Sequence, residues 1–581
     1  MAAGDKICSE EAGGPSTAER EERNPAGTGK EVVSSSDSSK PPPKKKHRGW
    51  GAMPFILGNE TFERLATLGL AANFMVYLMR EFHMTQVTAA NVINIWGGVS
   101  NFAPLFGAFI SDTYAGRYKT IAFASFADLL GMLAMTLTAW LPQLSPPKCD
   151  IATQFSKCKG PNKLQLGVLL TALGLLAVGT GGVRPCSIPF GIDQFDQTTE
   201  KGVKQVRSFH QFVLLLIHSG AIDHSNHIGT KVYILIEPEG SIFLGIARVC
   251  VAAFKKRRLK LPAEGDNNGV FYDPPLKETL SSKQPLTNQF RFLNKAAMIV
   301  DNEIKPDGTP VNAWRIGSIQ QVEEVKCLIR IIPIFVNLII TAIAMLQQST
   351  FTVSQAMKMD RNLGPNFKIP PGSIVAISYL TVVIWLPIYD RILVPALCKV
   401  TKREGGITVL QRCGIGIVFT ILAMVAAGLV ERKRRDLANL HPQPLGNSPL
   451  SIMWLSPPLI LLGFAEAFYQ VGMLEFFNMQ FPDSMKSIAN ALLYCSFAIT
   501  SYLCSLMITI IHGTTGKQDR PDWLTNDINA GKLDYFYFLL AGIGVVNFFY
   551  FLYCASSYRY KSSIRVETKS YNDVELAKSV V

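Results

Sequence analysis

The sequence predicts an all-α integral membrane protein, and three observations carry that prediction. Of the 581 residues, 48% are hydrophobic. The apolar residues fall in long, nearly uncharged runs, and the basic residues cluster beside those runs. Runs of about 20 apolar residues have the length an α-helix needs to cross ~30 Å of hydrocarbon.

Residues 1–49 are polar and end in "KPPPKKKHR". They offer too little apolar surface to offset the entropy of ordering, which predicts a disordered tail. Four spans follow at 60–80, 91–112, 119–141 and 164–190. After a long polar stretch come six more, at 328–350, 372–397, 407–430, 452–476, 487–511 and 534–555. The organisation is therefore an N-terminal bundle over 50–207, an aberrant segment at 208–236, a central linker over 237–325, a C-terminal bundle over 326–556 and a tail from 557 to 581.

Orientation follows from Lys and Arg at the span ends. "KKKHR", "AGRYK", "EKGVKQVR", "CKVTKRE" and "YRYKSSIR" all fall on one side, so both termini are expected in the cytosol of a multi-pass protein. "ERKRR" at 431–435 disagrees, and the majority overrules it. Within the linker, "EGSIFLGIARVCVAAFKKRRLK" places apolar and basic residues at helical spacing. Two readings stand: a helix on the anionic inner leaflet, or a cytosolic helix packed on the bundle.

The formal charge of +13 raises the question of nucleic acid. Basic residues placed at span ends set orientation in the membrane, so the bilayer is the expected partner and nucleic acid is not. The eleven cysteines form no CxxC spacing. Cys149 and Cys158 share a polar loop, where a disulfide and two free thiols are both open. No nucleophile, metal or phosphate-loop constellation points to an enzyme, and no cofactor is expected.

The first span opens "NETFERLATLG". Glu60, Glu63 and Arg64 stand at i, i+3 and i+4, on one helix face. A charge at mid-membrane costs about 2.5–3.5 kcal/mol on insertion scales, so three together should not face lipid. One reading is a structural salt bridge. The other is a proton site, because two carboxylates sharing one permanent cation disfavour double ionisation. In "GAFISDTYAGRYKT", Gly107 permits close helix approach, while Asp112 and Arg117 bracket a Gly turn suited to a breakable latch; a plain loop would look alike. Arg184 lies among glycines and apolar residues with Pro185 beside it, so it should face a cavity or a carboxylate. In the span at 452–476 Glu466 is the mid-helix candidate, and Glu475 lies nearer the end, where solvation would suffice.

These motifs carry a resemblance. "ETFER", "GAFISDTYAGRYKT", "GTGGVRPCSIPFGIDQFDQ", "QQSTFTVSQAMKMDR", "SYLTVVIWLPIYDRI" and "LEFFNMQFPDSMKSIANAL" together resemble the plant nitrate/peptide transporter family. These are the proton-dependent oligopeptide transporters of the major facilitator superfamily, and the pattern is nearest the subfamily with nitrate and glucosinolate carriers. The resemblance covers about 50–207 and 237–565. It implies a major facilitator fold of two six-helix bundles, alternating access, the proton as coupling ion, a small-molecule or anion substrate and the plasma membrane. It assigns Glu60, Glu63 and Arg64 to proton coupling, and sets Arg184 in the cavity against Glu466 or an anionic substrate. Gln347 and Met345 join that cavity, Met345 standing where a nitrate-carrying member has a nitrate-contacting His.

The chain departs from the family over "HQFVLLLIHSGAIDHSNH", His210 to His227. Only about 28 residues separate "GVKQVRSF" from "EPEGSIF", where two crossings need about 40 apolar residues and a turn. The expected fifth and sixth helices are missing or degenerate, leaving about ten spans, four plus six, with parity kept. The alternatives are a short re-entrant segment, or a metal site on the clustered histidines, which lack four-ligand spacing. A symporter and a truncated, non-transporting membrane protein are thus both open.

Overall fold

The computed structural model describes residues 53–147, 159–192, 194, 242–262, 270–274, 286–300, 302–306, 308–402, 406–440, 447–481, 486–516, 522–525 and 527–558. The predicted tail and the 208–236 segment with its histidines lie outside them, as do Cys149 and Cys158.

Four long helices form the first half: α1 (Met53–Arg80), α2 (Gln86–Ala115), α3 (Arg117–Trp140) and α4 (Lys163–Ile192). A shorter helix, α5 (Ile242–Lys255), belongs to the linker. Six long helices form the second half: α6 (Ile319–Met357), α7 (Pro371–Thr401), α8 (Val409–Leu440), α9 (Ile452–Gln480), α10 (Lys486–Thr515) and α11 (Leu533–Ser557). Among the described residues, α2–α4 and α6–α11 are long and apolar enough to cross a membrane. At 28 residues, α1 spans about 42 Å at the usual helical rise.

Local sequence sets several of these starts. "NKLQ", "SIQQ" and "TVLQ" each place Gln three residues after a capping side chain. At Asn162, Ser318 and Thr408 the cap accepts the Gln backbone N–H, and the Gln side chain accepts the cap N–H, at 2.8–3.3 Å. This reciprocal box satisfies two orphan donors at a helix start. It carries α6 back to Ile319, ahead of the expected 328, as a foot outside the apolar run. That foot is held from below: Lys326, fully buried, donates to Glu323 at 2.6 Å and to the Thr287 carbonyl of the linker at 2.7 Å.

In the first half α4 is the hub, packed on α1, α2 and α3. In the second half α8 plays that part, against α6, α9 and α11. The halves meet where α2 lies along α10, with Asn91 bonded to Ser505 at 2.8 Å. Asn337, Thr341, Tyr469 and Asn547 are buried and mutually bonded at 2.7–3.3 Å, tying α6, α9 and α11. Unpaired polar groups are expensive away from water, so each such bond specifies a register.

The "ERKRR" segment, read as a helix end just past the span at 407–430, is helical within α8, and three of its charges find partners inside the protein. Glu431 and Arg434 are fully buried against each other. Arg435 pairs with Asp534, and Lys433 sits 3.7 Å over the Trp454 ring. Charges consumed this way are poor reporters of orientation. One face of α5 is packed: Val249, Ala252 and Ala253 bury against Leu293, Ala296, Ala297, Val322 and Val325. Lys256 pairs with Glu303 at 2.6 Å, and Arg257 stacks 4.2 Å over Phe254, so part of the basic run serves internal contacts.

Candidate functional site

The site begins with α4. Pro185 cannot donate to the Gly181 carbonyl one turn before it, so that oxygen is left over within the helix. Gly107 of α2 packs directly against it: a Cβ there would collide with the Gly181 carbonyl. Only a glycine allows α2 this close. The proline and the small residues around it thus bring backbones together and leave Arg184 as the large polar group on this stretch.

Arg184 reaches α1. Its Nε and Nη2 both donate to Glu63 Oε1, at 3.3 and 3.1 Å. Thr67, one turn on, donates to the same oxygen at 3.1 Å. Glu63 is 4% exposed, and its other oxygen, Oε2, is buried with no hydrogen-bond partner among the described residues. Three donors therefore converge on one carboxylate oxygen while the second is left bare. A carboxylate held on one side is a group that can give up its cation when a proton arrives, since protonation removes the charge but leaves an acceptor. Glu60 and Arg64 lie on the α1 backbone at their expected positions, and their side chains are outside the described set.

A third acidic group stands nearby. Asp128 lies midway along α3 and packs over Gly179 of α4, where a Cβ would fall 2.8 Å from Asp128 Oδ1. Glu63 and Arg184 are its charged neighbours. Sequence reading passed over it, although the signal was there: between Lys119 and Trp140 it is the sole ionisable residue of an apolar span.

Across the molecule, α9 widens into a π turn at Glu466–Gln470. The expected Arg184–Glu466 pair is absent. Arg184 is held by Glu63, and Glu466 makes no hydrogen bond or ion pair among the described residues, with Tyr379 as its ionisable neighbour. Glu475, expected to be merely solvated, is instead paired with Arg412 at 3.2 Å. Arg412 also donates to the Ala467 carbonyl in the π turn at 3.2 Å, and stacks 4.4 Å over the Tyr389 ring. A π turn displaces a carbonyl from the regular ladder, and Arg412 takes up the one at Ala467. The lone Arg in "QRCGIGIV" was its sequence signal.

The remaining predicted residues fall into two groups. Gln347 is fully buried and donates to the Cys504 carbonyl of α10 at 3.2 Å, its own oxygen unpaired. Met345 is buried with its sulfur 4.0 Å from Gln470. At the α2–α3 corner, α2 ends in a π turn over Ser111–Ala115, and Gly116 turns the chain at φ 77° before Arg117 opens α3. Gly116 supplies the positive φ that this sharp reversal requires. The Asp112 side chain is outside the described set.

Comparison with known proteins agrees with this architecture. The PTR2 profile of the POT family matches residues 118–222 and 227–524. Protein NRT1/PTR FAMILY 2.13 of Arabidopsis thaliana is 54% identical over 564 residues, covering 91% of each chain. Protein NRT1/PTR FAMILY 2.12 of the same plant is 50% identical over 559 residues, covering 91% of this chain and 96% of its own. The crystal structure of the POT family transporter PepTSo superposes with a TM-score of 0.58 at 20% identity, covering 88% of this chain and 98% of that one. An auto-inhibited POT family peptide transporter gives 0.59 at 18% identity, over 88% and 97%. At such identities these two structures speak to the fold. The profile match breaks between 222 and 227, inside the histidine segment. Separately, 91% of this chain is fewer residues than either aligned length, so both plant relatives carry positions, at places along the chain not fixed by these lengths, with no counterpart here.

Proposed function

The chain belongs to the POT family of proton-coupled transporters of peptides and small solutes, and from that premise we propose that it is a symporter for a small anionic or peptide-like solute, with nitrate and glucosinolates as the leading classes. The observation that carries the proposal is the one-sided Glu63–Arg184 pair. With Glu63 ionised, Arg184 is engaged and its charge is neutralised. A proton on Glu63 removes that charge, and Arg184 becomes free to hold an anionic group of the solute. Release of solute and proton on the far side restores the pair. A permanent cation suits nitrate, carboxylate or sulfate far better than a neutral solute.

In this scheme Glu60, Glu63 and Arg64 couple the proton, and Arg184, Glu466, Gln347 and Met345 belong to the solute cavity. Gly107, Asp112 and Arg117 form the latch that opens between states. The proton is the coupling ion and no other cofactor takes part. An inward net charge of one gains about 2.3 kcal/mol per 100 mV of membrane potential, enough to concentrate a solute several tens of fold; for a monovalent anion that takes two protons per solute, since a 1:1 symport is electroneutral. The plasma membrane with both termini cytosolic is the corresponding setting.

The test is uptake in oocytes of nitrate and of a glucosinolate, at acidic and neutral external pH. Uptake should rise in acid, and Glu63→Gln should abolish that rise while surface expression stays unchanged. Uptake by correctly localised protein with no pH dependence would overturn the proposal.

A second reading is favoured by the broken profile match. A chain lacking the helix pair at 208–236 would be a non-transporting membrane protein, or an incomplete gene model of a working carrier. Removing two helices bares polar faces of the first bundle to lipid, which is costly. Transcript sequencing across codons 200–240 separates the cases: a spliced-in helix hairpin makes the working carrier the true product.

A further inference from the structure

The Arg184 site holds more acid than one cation needs, and the surplus has a definite place. Asp128 is anchored by packing: its side chain fills the groove left by the missing side chain of Gly179, at the centre of the α3–α4 seam. Among the described residues Glu63 on α1 and Arg184 on α4 are the charged groups near enough to act on it electrostatically, and no hydrogen bond occupies its carboxylate. Glu60 and Arg64 share the α1 helix with Glu63.

The donors on Arg184 are correspondingly unspent. A guanidinium offers five N–H groups. Here Nε and Nη2 serve Glu63 Oε1, and Nη1 has no partner among the described residues. A buried Arg that loses its carboxylate costs several kcal/mol unless another acceptor takes over. In the cycle proposed above, protonation of Glu63 creates that situation before any solute has bound.

We propose that Asp128 is the second holder of Arg184: a positioning residue that takes the guanidinium when Glu63 is protonated, and yields it to the anionic solute. This rests on reading Glu63–Arg184 as the proton-linked pair. It assigns Asp128 a specific task, which is to keep the freed Arg184 beside α3 and α4, in place for the solute. Because an anionic solute must then displace a carboxylate from Arg184, Asp128 also discriminates against weak anions.

A double-mutant cycle on the purified full chain tests this without requiring transport. Thermal unfolding in detergent is measured for the wild type, Glu63→Gln, Asp128→Asn and the double variant, all near-isosteric so that the Gly179 packing survives. Among the described residues each single variant leaves Arg184 one carboxylate, whereas the double leaves it none. The double should lose at least about 2 °C more than the sum of the singles, a coupling of about 2 kcal/mol in a chain of 581 residues. The excess should vanish in an Arg184→Gln background. Additive losses, or an excess that persists without Arg184, would overturn the proposal.

Uptake supplies the readout a structural role would not move. Asp128→Asn should lower the KM for an anionic solute several-fold and reduce maximal uptake, with Asp128→Glu restoring wild-type behaviour in part. An unchanged KM overturns the role in solute selection. If the wild type shows no acid-stimulated uptake, the symport reading fails by itself, and the thermal cycle still decides whether Asp128 holds Arg184.

Discussion

Two of the carboxylate–guanidinium pairs among the described residues, Glu431–Arg434 and Glu63–Arg184, are built oppositely. In the second half Glu431 and Arg434 are both fully buried, and both carboxylate oxygens and all three guanidinium nitrogens are hydrogen-bonded. Arg434 Nε and Nη2 bond the two carboxylate oxygens at 2.8 Å each. Gln355 donates to Glu431 at 2.6 Å and accepts from Tyr537 at 3.2 Å, while Arg434 Nη1 finds Asn529 at 2.7 Å. In the first half Arg184 meets one oxygen of Glu63 at 3.1 and 3.3 Å, the other oxygen stays bare, and a spare carboxylate waits at Asp128. A fully satisfied buried network rigidifies, whereas an unsatisfied buried polar group calls for a functional explanation. Glu431 and Arg434, both on α8, are tied to α6 and α11 through Gln355 and Tyr537, whereas in the proposed cycle Arg184 changes partners.

The largest expected effect tests the rigid pair. Glu431→Ala should strand a desolvated Arg434 and cost about 3–5 kcal/mol, seen as loss of the monodisperse peak in size-exclusion chromatography. An equal loss from Glu63→Gln would erase the contrast between the two sites. Next comes Arg412→Ala, which removes the ion pair to Glu475, the bond to the Ala467 carbonyl and the stacking on Tyr389. A drop of about 1–3 kcal/mol in unfolding stability is expected, since a buried carbonyl and a carboxylate are both left unpaired. The smallest stability effect belongs to Glu466→Gln, whose carboxylate makes no bond or ion pair among the described residues. Its melting temperature should stay within about 1 °C of wild type, while its solute affinity changes. A large destabilisation there would mean that Glu466 is part of the scaffold.

How much of this was legible beforehand differs by residue. The membrane helices were plain from apolar run length, and the Asn162, Ser318 and Thr408 starts from their Gln partners. Arg184 was conspicuous as a lone charge in an apolar span, and the motifs around it identified the family. Its partner was not legible: Glu63 and Arg184 are 121 positions apart, and Glu466 was as plausible by charge alone. Asp128 obeyed the same lone-charge rule as Arg184 and was passed over because no motif framed it. "ERKRR" misled for a related reason, since a basic cluster looks the same whether water or a buried carboxylate receives it.

By itself, then, the sequence determined what depends on neighbours along the chain: helices, their starts, the bilayer as solvent and the family. Only the tertiary structure decided which charge meets which, because a charge in hydrocarbon takes whatever acceptor the packing of distant helices brings within 3 Å. Gly107 and Gly179 let α2 and α3 pack closely on α4 near Arg184, and α1 brings Glu63 to 3.1 Å from it. The same packing holds Asp128, the carboxylate that no motif announced, beside it.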